Sequence, residues 1–336
     1  MSAPIRIDLA GFARDGTLGD HAGLMGLCER ADRLGYGGIW FNEFHFRGAT
    51  NPYPHTLLLG AAVLARTERL RFGTSILVLP LHHPLMLAEQ VAQLDLQGGG
   101  RLDVGIGRGT DPDSFAILGI PRDEASARYE EALRIMLQVW TTGRATSEGP
   151  HWRFRDVPAG PPPAQAPHPP VFAAAVSPDS MDSAARLGLP LLFSLEPNED
   201  RQLTPWRAAL ARHGQPAAVM ARSQLSRYVI VAPRRDMALA RLDALLERLN
   251  AARAHRAQAQ GNPPPPARSR AEMLEGFAIA GDPADCAAQI RALCDRIGAR
   301  SLRALFSANG LIAMEEAERA MTLFAAEVLP ALSVDA

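Results

Sequence analysis

The amino-acid sequence predicts an α/β fold of the (β/α)₈ class, the TIM barrel. Short apolar runs alternate with longer segments of helical periodicity, which is the pattern of repeated βα units around a parallel sheet. About eight such units can be counted. The chain has 336 residues, a length that parallel barrels reach as one unit, so we expect a single barrel domain over residues 1–336.

The predicted strands are brief and rich in apolar residues, as strands buried on both faces should be. They are Ile5–Leu9, Gly38–Phe41, Arg71–Leu77, Leu102–Ile106, Val171–Ala174, Leu191–Phe193, Arg227–Val231 and Ser301–Phe306. The predicted helices include Asp20–Leu34, Pro84–Leu96, Ala125–Trp140, Asp236–Arg253, Pro283–Ile297 and Glu315–Val328. In the fourth of these the leucines form one stripe, which should pack on the barrel wall.

Two segments interrupt the alternation. Pro158–Pro170 is dense in proline, which predicts an extended path over the surface before the strand at Val171. Ala254–Arg270 contains four consecutive prolines from Pro263 and alternating Ala, Gln and Arg. We expect it to form a mobile insertion after the seventh strand, in a position where barrel enzymes often carry a lid.

Composition excludes several classes of function. The formal net charge is -1, so neither nucleic acid nor a membrane surface is expected as a partner. All 35 basic residues are arginine, which excludes a Schiff-base lysine and a P-loop lysine. The 3 cysteines lack metal-type spacing, so we expect no zinc site, no disulfide framework and a reducing, cytoplasmic location. No apolar run predicts a signal peptide or a membrane span.

A glycine-rich turn follows the fourth predicted strand. The segment Arg101–Gly109 reads Arg-Leu-Asp-Val-Gly-Ile-Gly-Arg-Gly. Glycines let the backbone approach a ligand closely, and Arg108 can grip a phosphate through two parallel hydrogen bonds. Barrel active sites lie at this edge of the sheet, which favours an anion site. The alternative is a tight βα turn with a solvated arginine.

A second candidate anion site follows the fifth predicted strand, where Ser177-Pro178-Asp179-Ser180 opens a helix. Hydroxyl groups and free backbone N–H groups at a helix N-terminus suit a phosphate. Ordinary N-capping by Ser177 explains the same residues, and taken alone it is the simpler interpretation. Because both features follow predicted strands, each supports the anion-binding interpretation of the other.

Histidines follow the second and third predicted strands, at His45 and at the pair His82-His83. Histidine can act as a general base near neutral pH, and His45 is the candidate catalytic residue. For His82 and His83 a structural role in the loop is the simpler interpretation. The chain has no Gly-x-Ser-x-Gly nucleophile elbow and no Gly-x-Gly-x-x-Gly fingerprint, so a serine hydrolase and a Rossmann site are unsupported.

These residues resemble those of the bacterial luciferase-like flavin monooxygenases. The matching strings lie in the first half of the chain and stand at the family's spacing. They are Gly38–Trp40 with Glu43, His45 and Phe46; Asn51-Pro52-Tyr53; Gly73-Thr74; Leu79-Pro80; His83-Pro84; Ala88-Glu89; Leu94-Asp95; Gly100-Arg101; and Gly107-Arg108-Gly109. Pro170–Pro190 and Gly281–Leu332 continue the likeness, which covers nearly the whole chain except Ala254–Arg270.

The resemblance implies a (β/α)₈ barrel that binds reduced FMN across the C-terminal edge of its strands. Arg108, Ser177 and Ser180 would hold the flavin phosphate, and a cis peptide at Ser75 and Ile76 would lie under the flavin ring. A separate reductase would supply the reduced flavin. Reaction with O₂ at the flavin C4a carbon would give a peroxyflavin that oxidises a small organic substrate. Family members also pair, so a homodimer is expected.

The sequence departs from the luciferases of that family at two positions. Phe44 stands where they have the first histidine of a His-His pair, and Gly107 stands where they have a cysteine beside the reactive flavin carbon. Light emission is therefore not expected. Two alternatives remain: a deazaflavin-dependent dehydrogenase on the same fold, and a non-catalytic flavin-binding partner subunit.

Overall fold

The strands of the fold are mostly parallel and are joined by helices, as predicted. The computed structural model describes residues 4–12, 20–196 and 199–333. Its strands are β1 Arg6–Ala10, β2 Gly38–Phe41, β3 Arg71–Thr74, β4 Leu77–Val78, β5 Leu102–Gly107, β6 Arg144–Glu148, β7 Arg153–Pro158, β8 Val171–Ala173, β9 Gln224–Val231, β10 Ala278–Gly281 and β11 Ser301–Leu305.

The helices are α1 His21–Leu34, α2 Thr56–Arg66, α3 Pro84–Gln97, α4 Pro112–Ile117, α5 Ala125–Thr142, α6 Pro178–Arg186, α7 Glu199–Arg212, α8 Ala217–Arg222, α9 Arg235–Ala259, α10 Arg270–Gly276, α11 Pro283–Ile297, α12 Met314–Glu327 and α13 Leu329–Ser333. Short 3₁₀ turns occur at Gly48–Thr50, Leu79–Leu81, Arg122–Glu124 and Ala308–Gly310. Within the described ranges, no helix is both long enough and apolar enough to cross a membrane.

The chain divides into two compact units. Unit 1 comprises Met1–Leu18, Arg33–Gly37 and Val176–Ala336, of which only the described residues are considered, and unit 2 comprises Gly19–Asp32 and Gly38–Ala175. In unit 1 the strand order is β10-β9-β11-β1, and all pairs are parallel. In unit 2 the parallel strands run β2-β3-β5, and β5 also pairs with β4 and β8.

The core of unit 1 forms where α9 packs on β9 and β10. Leu242, Leu245 and Leu249 are buried against Tyr228 and Ile230 of β9 and against β10. Leu239 and Leu246 are partly buried in the same cluster. The predicted leucine stripe is therefore confirmed as the buried face of this helix.

The core of unit 2 depends on a close contact between β2 and β3. Trp40 is paired in register with Gly73, and a Cβ at Gly73 would come within 2.2 Å of the Trp40 ring. The ring also meets Phe172 of β8 edge to face, with 5.4 Å between centroids. A side chain at position 73 would displace the tryptophan, so glycine is required there.

Four predictions about secondary structure were wrong in detail. Leu191–Phe193 forms only an isolated bridge between Leu192 and Gln224, and Arg71–Leu77 is interrupted after Thr74. The short strand β10 was missed, because its four residues give no periodic signal. The antiparallel hairpin of β6 and β7 was also missed, since its strands are mostly polar.

The insertion after β9 differs from the predicted mobile loop in its first part. Helix α9 continues to Ala259, so the residues from Ala254 onward are helical before the chain leaves the helix. Alanine, arginine and glutamine are strong helix formers, and this run favours helix over loop. At the other end, Asn250 exchanges two hydrogen bonds with the backbone of Arg268, at 2.9 and 3.1 Å.

The three cysteines are buried and unpaired. Burial raises the pKa of each thiol, at Cys28, Cys286 and Cys294, to about 12. The thiolate form that reacts and binds metals is therefore disfavoured at neutral pH. These residues act as small apolar groups in the core.

The turn before β3 is held by one carboxylate. Asp32, near the end of α1, accepts hydrogen bonds from the backbone N–H groups of Glu68, Arg69 and Leu70 at 2.7 to 3.0 Å. Burial opposes ionisation of Asp32, but these hydrogen bonds outweigh it and lower its pKa. The charged carboxylate therefore fixes the entry of the chain into β3.

We expect Asp32→Asn to lower the free energy of unfolding by about 1–3 kcal/mol at pH 7, because an amide N–H₂ group would face one of the three donors. The lowered pKa means that the charged form stabilises the fold above the unfolded pKa of about 3.9. That stabilisation is lost as pH falls through the folded pKa. The difference in the free energy of unfolding between wild type and variant should therefore become smaller below about pH 4.

Urea denaturation at several pH values measures both effects. The matched control is Asp123→Asn on the exposed 3₁₀ turn, where a change within about 0.5 kcal/mol is expected. Equal stability of wild type and Asp32→Asn at pH 7 would contradict the role given to this carboxylate.

Candidate functional site

A buried carboxylate lies just beyond the end of β2. Glu43 is 5% exposed and accepts three hydrogen bonds. One donor lies on the same loop, and the other two are distant in sequence. Its Oε1 atom contacts Nε2 of His45 at 2.8 Å and Nε2 of His82 at 2.7 Å. Its Oε2 atom accepts from the backbone N–H of Val78 at 2.6 Å. One side chain thus joins the loop after β2 to the segment that includes β4.

The electrostatics of this cluster favour a charged carboxylate. Burial alone would raise the pKa of Glu43, but hydrogen bonds from His45 and His82, the charge of His82 and the Val78 N–H together lower it to about 2. The hydrogen bond to Glu43 in turn raises the pKa of His45, against the opposing effect of burial. His45 is therefore oriented and made more basic by its neighbour.

The ring of His45 lies near those of two other histidines. Its imidazole lies 5.1 Å from the ring of His55 and 6.3 Å from that of His82, centroid to centroid. The neighbouring Phe44 is half-buried, and its carbonyl accepts a hydrogen bond from the Asn51 side chain at 2.5 Å. This hydrogen bond ties together two positions of the loop that flank His45.

The predicted cis peptide is present between Ser75 and Ile76. It lies between β3 and β4, and the Ile76 side chain reaches the glycine-rich turn after β5. A Cβ at Gly107 would come within 2.1 Å of Cδ1 of Ile76, and one at Gly109, where φ is +76°, within 2.4 Å of Val78. The structure therefore brings Ser75, Ile76 and Gly107 together, and the glycines there make room for apolar side chains of the protein itself.

Arg108 lies at the end of β5 and is partly exposed. Its Nη1 atom donates to the hydroxyl of Ser126 at 2.8 Å, at the start of the long helix α5. A guanidinium, a hydroxyl and a helix N-terminus are together a suitable donor set for a phosphate. The turn is held at the strand by Thr74, whose hydroxyl donates to the Gly105 carbonyl and accepts from its N–H.

Ser177 and Ser180 belong to unit 1, where they form the N-terminus of α6. Ser177 is the N-cap residue, and the two serines form a capping box in which each side chain accepts from the backbone N–H of the other. The hydroxyls also contact each other at 2.9 Å. The capping interpretation of these serines is therefore realised, and their role toward a phosphate stays a prediction.

A second ion pair joins the loops that follow β2 and β5. Arg47 donates to Asp111 at 2.6 Å, and Asp111 also accepts from the Ser114 hydroxyl at 2.6 Å. The Arg47 side chain is 42% exposed, so the pair contributes little to stability but limits the positions of both loops.

The sequence predicted His45 as a candidate catalytic residue but did not predict the carboxylate that contacts it. Glu43 was noted only as part of a matching string, and His82 was assigned to the loop. The signal available was the Glu-x-His spacing directly after a strand, which puts a carboxylate and an imidazole at the same sheet edge. The contact with His82, 39 positions away, carried no signal in the sequence.

Comparison with known proteins identifies the family. The model of the luciferase-like monooxygenases matches residues 9–301. The oxygenase component of a flavin-dependent trigonelline monooxygenase from Acinetobacter baylyi is 34% identical over 171 residues, which are 49% of this chain and 46% of that protein. The chain spans about half the length of the curated relatives it matches.

Solved structures match over the whole chain. Monooxygenase RslO1 from Streptomyces bottropensis is 28% identical, with a TM-score of 0.77 over 97% of this chain and 99% of that one. The oxygenating constituent of 3,6-diketocamphane monooxygenase from Pseudomonas putida, solved with FMN, has a TM-score of 0.78 at 20% identity over 98% and 99%. The likeness confirms the predicted fold class, and with the family model it establishes that this chain belongs to the luciferase-like monooxygenases.

Proposed function

We propose that this chain is the oxygenase of a two-component flavin-dependent monooxygenase. A separate reductase supplies reduced FMN, and O₂ is used to oxidise a small organic substrate. Membership of the luciferase-like family supports the proposal, as does the likeness to a relative named as an oxygenase component. No nicotinamide-binding fingerprint occurs in the sequence, which is consistent with a partner that carries out the reduction.

The observation that carries the proposal is the Glu43–His45 pair at the carboxyl end of β2. The carboxylate holds Nε2 of His45, so His45 exchanges a proton with substrate or water at Nδ1. In hydrolase triads a carboxylate likewise holds one ring nitrogen of the histidine while the other transfers the proton. Glu43 stabilises the doubly protonated ring. The pair is therefore suited to accept and return a proton during oxidation.

The donor set at the end of β5 fits the flavin phosphate. Arg108 and the Ser126 hydroxyl at the start of α5 would hold the phosphate. By family resemblance, Ser177 and Ser180 at the start of α6 are expected to contact it as well. The segment of Ser75, Ile76 and Gly107 would form the apolar surface for the ring. The reduced flavin, when bound, supplies the electrons that activate oxygen. The protein excludes water and orients the substrate.

We also propose that the chain pairs with a second copy, as family resemblance implies. Large apolar side chains are exposed on α2 and α3, namely Leu58, Met86 and Leu96. These side chains are the candidates for a contact between two copies on these helices. The cytoplasmic location expected from the cysteine count stays a prediction.

We expect Arg108→Ala to weaken binding of reduced FMN roughly tenfold to a hundredfold, because it removes a charge-assisted contact of about 1.5–3 kcal/mol. Anaerobic fluorescence titration measures the affinity. The control is Arg155→Ala on the β6–β7 hairpin, where the side chain is 83% exposed. Unchanged affinity in a folded Arg108→Ala protein would remove this residue from the phosphate site.

Ser177→Asp separates capping from phosphate binding. Aspartate caps a helix as well as serine does, so the stability of the protein should be preserved within about 0.5 kcal/mol. A negative charge at this position would instead repel a flavin phosphate, so the affinity for FMN should fall while that for riboflavin, which lacks the phosphate, is unchanged. If FMN affinity is also unchanged, Ser177 serves only the helix.

We expect His45→Ala to lower the rate of substrate oxidation by about 10²–10⁴ with flavin affinity nearly intact. Stopped-flow mixing of reduced enzyme with oxygen, followed by substrate, measures the rate. His83→Ala, at the neighbouring loop position, is the control and should retain activity. Wild-type turnover in His45→Ala would contradict the assignment, and reduction of a deazaflavin without oxygen uptake would contradict the monooxygenase itself.

A further inference from the structure

The cluster around Glu43 has the composition of a metal site. Oε1 of Glu43, Nε2 of His45 and Nε2 of His82 all lie within 4.8 Å of one another. Glu43 is buried and both histidines are partly buried. The packing of the fold therefore fixes the positions of the three ligand atoms. Imidazole and carboxylate are ligands that divalent transition metals prefer.

Two of the three distances between these atoms, those from Oε1 of Glu43, suit a metal with ligands at right angles. Metal–nitrogen and metal–oxygen bonds of about 2.0–2.2 Å put two ligands about 2.9 Å apart at 90° and about 3.4 Å apart at the tetrahedral angle. The two observed O–N separations are 2.7 and 2.8 Å. They are close to the first value, which is typical of two-histidine, one-carboxylate sites with open positions for water.

A neighbouring cavity offers access and a second polar group. The cavity has a volume of about 390 Å³ and is lined by Glu43 and His82, together with His55, Thr56, Leu77 and Gln90. Thr56 is 1% exposed, and its hydroxyl oxygen makes no hydrogen bond within the described residues. A buried hydroxyl without a partner is costly, and water bound to a metal in this cavity would satisfy it.

We propose that His45, His82 and Glu43 bind a divalent transition-metal ion through Nε2, Nε2 and Oε1, with water in the remaining positions. The ion would replace the protons that now lie between the imidazoles and the carboxylate. A neutral His45 with metal on Nε2 carries its proton on Nδ1 and accepts no second proton. The metal-bound form and the proton-carrying form of His45 are therefore alternatives, and the binding itself does not depend on the proposed function.

Calorimetric titration of the purified protein with Co²⁺ tests the site, because the heat of binding gives the affinity and the number of ions bound whatever the coordination geometry. We expect one Co²⁺ per chain, displaced by Zn²⁺. His82→Gln removes one ligand and leaves Glu43 and His45 in place, so it should weaken binding by more than the roughly tenfold to hundredfold that loss of an outer-shell partner costs. This measurement requires neither flavin nor oxygen.

The matched control is His83→Gln, because His83 is the adjacent histidine on the same turn and contacts the rings of Trp152 and Phe154 instead. It should bind Co²⁺ as the wild type does. A wild type that binds no Co²⁺ would overturn the proposal, as would equal affinities in His82→Gln and wild type. Circular dichroism of both variants shows that a loss of binding reflects a lost ligand and not an unfolded chain.

Discussion

The arrangement of the candidate site depends on the requirement that a buried carboxylate be fully hydrogen-bonded. An ionised side chain with little exposure is stable only when its oxygens are satisfied, and Glu43 meets this condition with two imidazoles and one backbone N–H. The three donors come from two segments of unit 2, His45 from the loop after β2 and Val78 and His82 from the segment that begins with β4. Satisfying this one charge therefore fixes the loop after β2 against the segment that runs from β4 to the turn before α3.

The periodic parts of the fold could be predicted from the sequence, and the non-periodic parts could not. The Pro283–Ile297 helix was predicted at its observed bounds, because proline, an N-cap aspartate and a closing glycine mark its ends. By contrast, β10 consists of four residues of alanine, isoleucine and glycine. These residues form a strand only because they pair with β9. The tail of α9 was misjudged for the opposite reason, since local helix propensity extends the helix to within a few residues of the proline run.

The same division holds at the candidate site. Residue types that follow a strand can be placed at a sheet edge, so His45 and Arg108 could be proposed from the sequence itself, whereas the cis peptide at Ser75 and Ile76 was expected only from the family resemblance. Contacts between segments could not be predicted from the sequence. Nothing in the chain predicts that His82 reaches Glu43, or that Ser126 is the partner of Arg108, because both depend on how α3 and α5 return to the strands.

The glycine-rich turn shows how one departure from the luciferases, the glycine at position 107, is coupled to a neighbouring side chain. Glycines in such a turn are easily taken as space for a ligand, yet at Gly107 the space belongs to Cδ1 of Ile76, and at Gly109 it belongs to Val78. A cysteine at position 107 and an isoleucine in its present rotamer compete for one volume. Since close-packed interiors tolerate little added volume, a side chain at 107 requires Ile76 to move, and Ile76 lies on the segment proposed to support the flavin ring. The identity of residue 107 thus acts on the shape of the pocket through its neighbour as well as through its own chemistry.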